Sequence, residues 1–155
     1  MQSSTRQNLR RWLAFGPAAF ALAGSIAAHA APSSSGDIHG RISAAETALI
    51  KAISTHDTAL LRRTVGSLGP MIEDALKRKK AGGQVSSCDM AAHSLGFAGK
   101  SLSDAIALRG KERKLLMDDA RQAAADFDRD MSACDAQAGQ KTGNHAGVAQ
   151  ALRAL

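Results

Sequence analysis

The chain is poor in aromatic residues: it has no tyrosine, one tryptophan and four phenylalanines among 155 residues. Trp12, Phe15 and Phe20 lie in an N-terminal apolar segment, so that Phe97 and Phe127 alone remain in the rest of the chain. Sugar platforms, base-stacking surfaces and aromatic cages each need several flat side chains. We therefore expect none of these binding modes.

Long hydrophobic runs are absent as well. The mostly apolar stretch 13–28 is interrupted by Gly16 and Pro17, and it is shorter than the roughly 18 residues of a membrane-spanning helix. A basic start precedes it, and the small-x-small sequence Ala28-His29-Ala30 follows it, which is the pattern of a secretory signal peptide. We predict cleavage of residues 1–30 near Ala30 and a periplasmic or secreted mature protein without a membrane span. The basic residues of this segment are Arg6, Arg10 and Arg11.

These arginines affect both the export route and the charge balance. The pair Arg10-Arg11 fits a twin-arginine signal, but such pairs also occur in general secretory signals, so the route stays open. Removal of the three arginines halves the formal net charge of +6. The mature chain is then only mildly basic, and composition predicts no nucleic-acid partner.

The chain has two cysteines, Cys88 and Cys134. Because export delivers them to an oxidising compartment, we predict that they form a disulfide. In the chain-entropy model, closing so long a loop stabilises the fold by about 4 kcal/mol. An alanine-rich chain buries little apolar area per residue, so a covalent crosslink would supplement a thin core.

Apolar residues recur with the period of a helix, and no useful stretch alternates like a strand, which predicts an all-α bundle. After a mobile leader at 31–36, we predict a long first helix that is capped by Asp37 and continues to Val65. Proline cannot continue a helix, so the segment 66–70 should end it. Pro70 then opens a short second helix, which ends in the basic run 77–80 before two glycines.

Two further helices should form an antiparallel hairpin. The third begins near Ser86-Ser87, and the fourth ends beyond Cys134. The turn at Gly110-Lys111 lies midway between the two cysteines, so a hairpin places both sulfurs level at its open end. We therefore predict that the disulfide clamps the hairpin opposite its turn.

The predicted domain organisation follows from these elements. Residues 37–136 form the helical bundle domain, and residues 137–155, which contain three glycines, form a flexible tail. Val148, Leu152 and Leu155 recur at i, i+4 and i+7, so the tail has room for a short terminal helix.

The sequence contains only weak motifs for metal binding, haem binding or catalysis. Asp89 and His93, four residues apart on the third helix, are the best metal-ligand candidates, although their interaction as acid and imidazole is the simpler interpretation. His56 or His93 with a methionine could bind haem axially in a bundle, but methionines usually fill gaps in such cores. We predict no resident cofactor and no enzymatic activity. The methionines considered are Met71, Met90, Met117 and Met131.

Two surfaces could contact a partner. Met90, Phe97 and Leu108 form a second apolar edge of the third helix, which would either pack on the first helix or remain exposed for a partner. The basic run either ends the second helix with favourable charge or contacts an acidic protein or an anionic lipid. Its members are Lys77, Arg78, Lys79 and Lys80.

Two hypotheses for function remain. The first is an exported, non-enzymatic helical protein that binds an unidentified protein, as inhibitors, immunity factors, chaperones and envelope accessory proteins do. The second is a small periplasmic bundle that binds a metal ion or haem. The sequence does not name the partner, and it leaves the oligomeric state open.

Overall fold

The computed structural model describes residues 34–155, which form five α-helices and no strand, so the predicted all-α fold is confirmed. The predicted signal peptide and residues 31–33 of the predicted leader lie outside the described residues. Within the described part of the chain, no helix is both long enough and apolar enough to cross a membrane. The helices are α1 (Ser35–Ser54), α2 (Thr58–Lys80), α3 (Ser87–Ile106), α4 (Gly110–Gln137) and α5 (Gly147–Arg153).

The predicted hairpin of α3 and α4 is present and is crosslinked by the Cys88–Cys134 disulfide, with Cα atoms 4.5 Å apart. Both cysteines are buried. The Ser94 hydroxyl donates to Asp130 Oδ2 at 2.7 Å, two turns further along, which fixes the same antiparallel register. Small side chains allow this close packing, because alanines occupy much of the shared face. They include Ala91, Ala98, Ala105, Ala120 and Ala124.

Helix α3 is the centre of the bundle, with α4 on one side and α2 on the other. At Gly99 a Cβ atom would lie 2.6 Å from Val65 Cγ2, so any larger residue would push α2 away. Most positions of α3 are consequently buried. A single exposed strip remains, which begins with Met90, His93 and Phe97.

The predicted long first helix is wrong. Helix α1 ends at Ser54, and α2 begins at Thr58. The Asp57 N–H donates to the Ala52 carbonyl at 2.9 Å, and the His56 N–H donates to that of Ile53 at 3.2 Å, which is a Schellman ending. The Asp57 carboxylate accepts the Leu60 N–H at 2.8 Å and so caps α2.

The predicted short second helix is also wrong, because α2 runs through Pro70 instead of beginning there. A proline inside a helix leaves the carbonyl four residues earlier, here that of Gly66, without its helical partner. Both residues are exposed, so solvent can satisfy this group. The predicted end of the helix at Lys80 is confirmed.

The start of α1 differs from the prediction as well. Ser34, not Asp37, is the N-cap, and Ser35 and Gly36 of the predicted leader belong to the helix. Asp37 closes a capping box: the Ser34 hydroxyl oxygen accepts the Asp37 N–H at 3.1 Å, and the Asp37 carboxylate receives the Ser34 N–H in return.

The segment 138–155, which the sequence assigned to a flexible tail, contains α5 and returns along the bundle. Helix α5 contacts both α1 and α4. Val148 and Leu152 are fully buried, so the helical spacing of these two residues reflects a packed face, whereas Leu155 lies beyond α5 and is 43% exposed. Gly147 lies against Ile50 of α1.

The bundle thus has two dissimilar ends. We call the end with the disulfide, the α2–α3 connection and the C-terminus of α4 the staple end. We call the end where the 55–57 and 107–109 connections meet the turn end. Residues of the 55–57 connection line one cleft there, together with Ile106 of α3, Arg113 of α4 and Leu155.

Candidate functional site

Four ionisable side chains meet at the staple end, where we call them the histidine–carboxylate cluster: His39, Glu46, Asp135 and His145. His39 Nε2 lies 2.7 Å from Asp135 Oδ1. The other oxygen of Asp135 is 3.0 Å from His145 Nε2, while His145 Nδ1 is 2.9 Å from Glu46 Oε2. The side chains are mostly buried, with 3% of Asp135 and 12% of Glu46 and His145 exposed. The cluster joins α1, α4 and the C-terminal segment.

The geometry defines the charge of His145. Both of its ring nitrogens face a carboxylate oxygen, and an ionised carboxylate can only accept hydrogen bonds. While both carboxylates are ionised, both nitrogens must donate, which requires the imidazolium form of the ring. Burial opposes that charge, but Asp135 and Glu46 outweigh burial and raise the pKa of His145 above its ordinary 6.5.

The two carboxylates differ in their surroundings. Burial alone would raise the pKa of Asp135, but the Gly143 N–H, which donates to Oδ2 at 2.7 Å, and the two histidines hold it below 3.8. Burial dominates at Glu46 and raises its pKa above 4.5, since His145 offsets the cost only in part. Glu46 and His145 therefore bind protons more tightly in the folded cluster than in the unfolded chain.

The connection between α4 and α5, residues 138–146, brings His145 into the cluster. A Cβ on Gly143 would lie 2.9 Å from His145 Nε2, so only glycine allows this approach. Asp128 accepts the backbone N–H of His145 at 3.1 Å, and the ring stands edge-on to Phe127. Chemically, the cluster binds a proton and ties three segments together, and every ring nitrogen of His145 is occupied.

Sequence reasoning missed the cluster because His39 and His145 lie in distant segments of the chain. One signal was available: His39 and Glu46 fall on the buried stripe of α1 that contains Ile42 and Leu49. A polar residue on such a stripe needs a buried partner. The identity of that partner depends on how the C-terminal segment folds back.

The residues proposed as a partner surface lie mainly between α2 and α3. Met90 and Phe97 are 45% and 50% exposed, so of the two alternatives, packing on the first helix is wrong and this edge remains exposed. Leu76 of α2, 51% exposed, joins them, and Leu108 lies apart in the α3–α4 connection. Leu76, Lys79, Met90 and His93 line a groove of about 230 Å³. We call Leu76, Lys79, Met90, His93 and Phe97 the α2–α3 surface.

The predicted pairing of Asp89 with His93 is not observed. Asp89 is buried, accepts the Ser86 N–H at 2.9 Å and receives Arg78 Nη2 at 2.5 Å. Burial alone would raise the pKa of Asp89, but Arg78 and Ser86 outweigh it and lower the pKa. His93 instead stacks on Phe97, with ring centres 6.5 Å apart. Arg78 therefore has a buried partner, Asp89, whereas the neighbouring Lys77 makes only an exposed ion pair with Asp74 at 3.5 Å.

The other haem or metal candidates are scattered. Met71, Met117 and Met131 are buried core residues, Met90 is on the surface, and His56 lies at the turn end. Within residues 34–155, no group of three or more histidine, cysteine, aspartate or glutamate side chains has an arrangement that could hold a metal ion.

Comparison with known proteins adds no relative: no protein-family model matches the chain, and no significant match was found among curated proteins or solved structures.

Proposed function

We propose that this chain is an exported, non-enzymatic helical protein that binds another protein through the α2–α3 surface. The observation that carries the proposal is the exposure of three large apolar side chains, Leu76, Met90 and Phe97, on one face. Exposed apolar side chains that cluster on a folded protein commonly mark an interaction site.

The position of these side chains supports the proposal. Met90 and Phe97 occupy the exposed strip of a helix whose other faces are covered by α2 and α4. The core is complete without them, so they make no evident contribution to folding. Aromatic residues and methionines are enriched in protein interfaces.

Charge suggests the chemistry of the partner. Lys79 lines the groove beside Leu76, and Lys77 and Lys80 are exposed on the same helix end. A partner segment that presents apolar residues flanked by acidic ones would match this surface. The charges would chiefly steer association, and burial of the apolar groups would supply affinity.

The export part of the proposal is supported by the pattern in residues 1–30 and by the disulfide, since disulfides persist mainly in oxidising compartments. N-terminal sequencing of the protein from its native envelope should place the mature start near Ala31. A purified protein that still contains residues 1–30 would contradict this part of the proposal. That result would not test the α2–α3 surface.

Crosslinking in the native envelope tests the binding surface. A species captured by the wild-type protein should be lost with Phe97→Ser and retained with Leu115→Ser, because Leu115 is 63% exposed on a different helix. Both variants should melt at the wild-type temperature. Equal capture by Phe97→Ser and Leu115→Ser would contradict the assignment.

Two substitutions that reverse a charge sharpen this experiment. Lys79→Glu should weaken capture, whereas Lys111→Glu, an equal charge change at an exposed site on α4, should leave it intact. Metal analysis and visible absorbance of the same purified protein complete the test. A stoichiometric ion or a Soret band would favour the cofactor hypothesis instead.

A further inference from the structure

The turn end contains a cleft of about 290 Å³ that the proposed function does not use. Its floor is formed by buried apolar side chains, and its walls include Ile106 and Leu155, which are about two-fifths exposed. Apolar walls that remain open to solvent are the usual setting of a small-molecule site. The floor residues are Ala52, Ile53, Leu61, Leu102 and Met117.

Polar groups stand at the rim of this cleft: His56, Asp57, Thr58 and Arg113. The Asp57 carboxylate is engaged by the Leu60 N–H as the cap of α2. Arg113 is half-buried, and no carboxylate of residues 34–155 lies within 4.0 Å of its guanidinium. The rim therefore offers one cation without an acidic partner, Arg113, and one carboxylate, Asp57, whose Oδ1 caps α2, beside an apolar floor.

The backbone at His56 is a second, independent observation. His56 has φ of 55°, in the left-handed region, at the position after the α1 C-cap. The equivalent positions after α2 and α4 are Gly82 and Gly139, with φ of 81° and 68°. Glycine adopts this conformation freely, whereas a side chain makes it costly. A histidine therefore occupies, after α1, the left-handed position that glycine occupies after α2 and α4. Its imidazole lies at the rim of the cleft.

We propose that the cleft binds a small amphipathic anion, namely a straight-chain carboxylate of about eight carbons. The carboxylate would accept hydrogen bonds from Arg113 and His56, and the chain would lie on the floor between Ile53 and Met117. A cleft at the lower end of the usual range of about 300–1,000 Å³ limits the ligand to a short chain. This inference is independent of the α2–α3 surface.

Titration with octanoate, followed by methyl NMR of the oxidised mature protein, tests the site. Octanoate should shift the methyl signals of Ile53, Ile106 and Met117 and leave that of Met90 unchanged. Octylamine, which has the same chain length and the opposite charge, should bind at least about tenfold more weakly, since a charge-assisted hydrogen bond would be lost. Equal binding of the two, shifts centred on Met90, or no shift below the micellar concentration would overturn the proposal.

Two variants separate ligand binding from folding. Arg113→Gln should weaken octanoate binding at least about tenfold, while Arg121→Gln, a matched change on an exposed face of α4, should not. His56→Gly should raise the melting temperature and yet weaken octanoate binding, because it relieves the backbone and removes a donor. Unchanged octanoate affinity in Arg113→Gln would refute the proposed orientation and with it the site.

Discussion

The staple end and the turn end of the bundle differ in the interactions that stabilise their helix ends. At the staple end, a disulfide, a capping box at Ser86 and the histidine–carboxylate cluster crosslink segments that are far apart in the sequence, and the exposed α2–α3 surface lies beside them. At the turn end, Ile106 and Leu155 are partly exposed, Arg113 has no acidic partner among the described residues, and His56 is in a costly conformation.

This difference indicates which end of the bundle holds the crosslinks between distant segments. Interactions that crosslink segments far apart in the sequence stabilise the whole fold, because they offset the entropy of closing long loops. Unmatched groups and backbone strain contribute nothing to stability, and they tend to persist where they serve another purpose. Four predictions test this contrast, in order of decreasing effect.

Loss of the disulfide should have the largest effect. The double replacement Cys88→Ser with Cys134→Ser should lower the free energy of unfolding by about 4 kcal/mol, because it frees a long loop in the unfolded chain. Guanidinium denaturation followed by circular dichroism measures this change. Chemical reduction of the wild-type protein should reproduce it, and a loss below about 1 kcal/mol would show that packing alone holds the staple end.

Removal of the central carboxylate of the cluster should come next. Asp135→Asn deprives His39, His145 and the Gly143 N–H of an ionised acceptor, and we expect a loss of about 2–3 kcal/mol. Asp118→Asn serves as the control, since this aspartate pairs only with exposed lysine and arginine side chains and should leave stability unchanged. Equal effects of the two substitutions would argue against a stabilising cluster.

The cluster should also make stability depend on pH. The folded pKa of His145 is raised, so its contribution is complete below about pH 6.5 and is lost as the pH rises through the folded pKa. The pKa of Asp135 is lowered, so its contribution exists above about pH 3.8 and is lost on acidification. Raised protonation of Glu46 also favours the folded state on the acidic side.

Denaturation at a series of pH values compares the wild type with His145→Gln and His93→Gln. The stability advantage of the wild type over His145→Gln should shrink as the pH rises above about 6.5. His93→Gln should retain the wild-type profile, because His93 is exposed and stacks on Phe97 outside the cluster. A constant difference between wild type and His145→Gln would show that folding does not raise the pKa of His145.

The smallest effects concern the helix endings and have opposite signs. Gly139→Ala, at the staple end, should lower the free energy of unfolding by about 1 kcal/mol, since alanine resists a φ of 68°. His56→Gly, at the turn end, should raise it by about 0.5–1 kcal/mol for the converse reason. Thermal melts of the two variants side by side provide the measurement. A destabilising His56→Gly would mean that the histidine side chain makes compensating contacts.

Sequence reasoning succeeded where signals were local or covalent. The glycines after Lys80 correctly placed the end of α2, and Ser86 the start of α3. The hairpin and its crosslink were also predicted correctly, although the connection is 107–109 and the predicted turn residues, Gly110-Lys111, begin α4. It failed at Pro70, because two exposed residues tolerate a missing hydrogen bond that a buried helix could not. It failed again at Asp57, whose capping role was hidden inside a continuous apolar pattern.

The sequence alone therefore determined that this chain is helical, which helices form a hairpin and that two sulfurs meet across it, since helical period, caps and spacing act within short or symmetric stretches of chain. Only the tertiary structure decided that residues 138–155 fold back, that His145 lies between Glu46 and Asp135, and that a cleft opens beside His56. Those features depend on the relative placement of segments about one hundred residues apart, and no local propensity specifies the direction in which such segments pack.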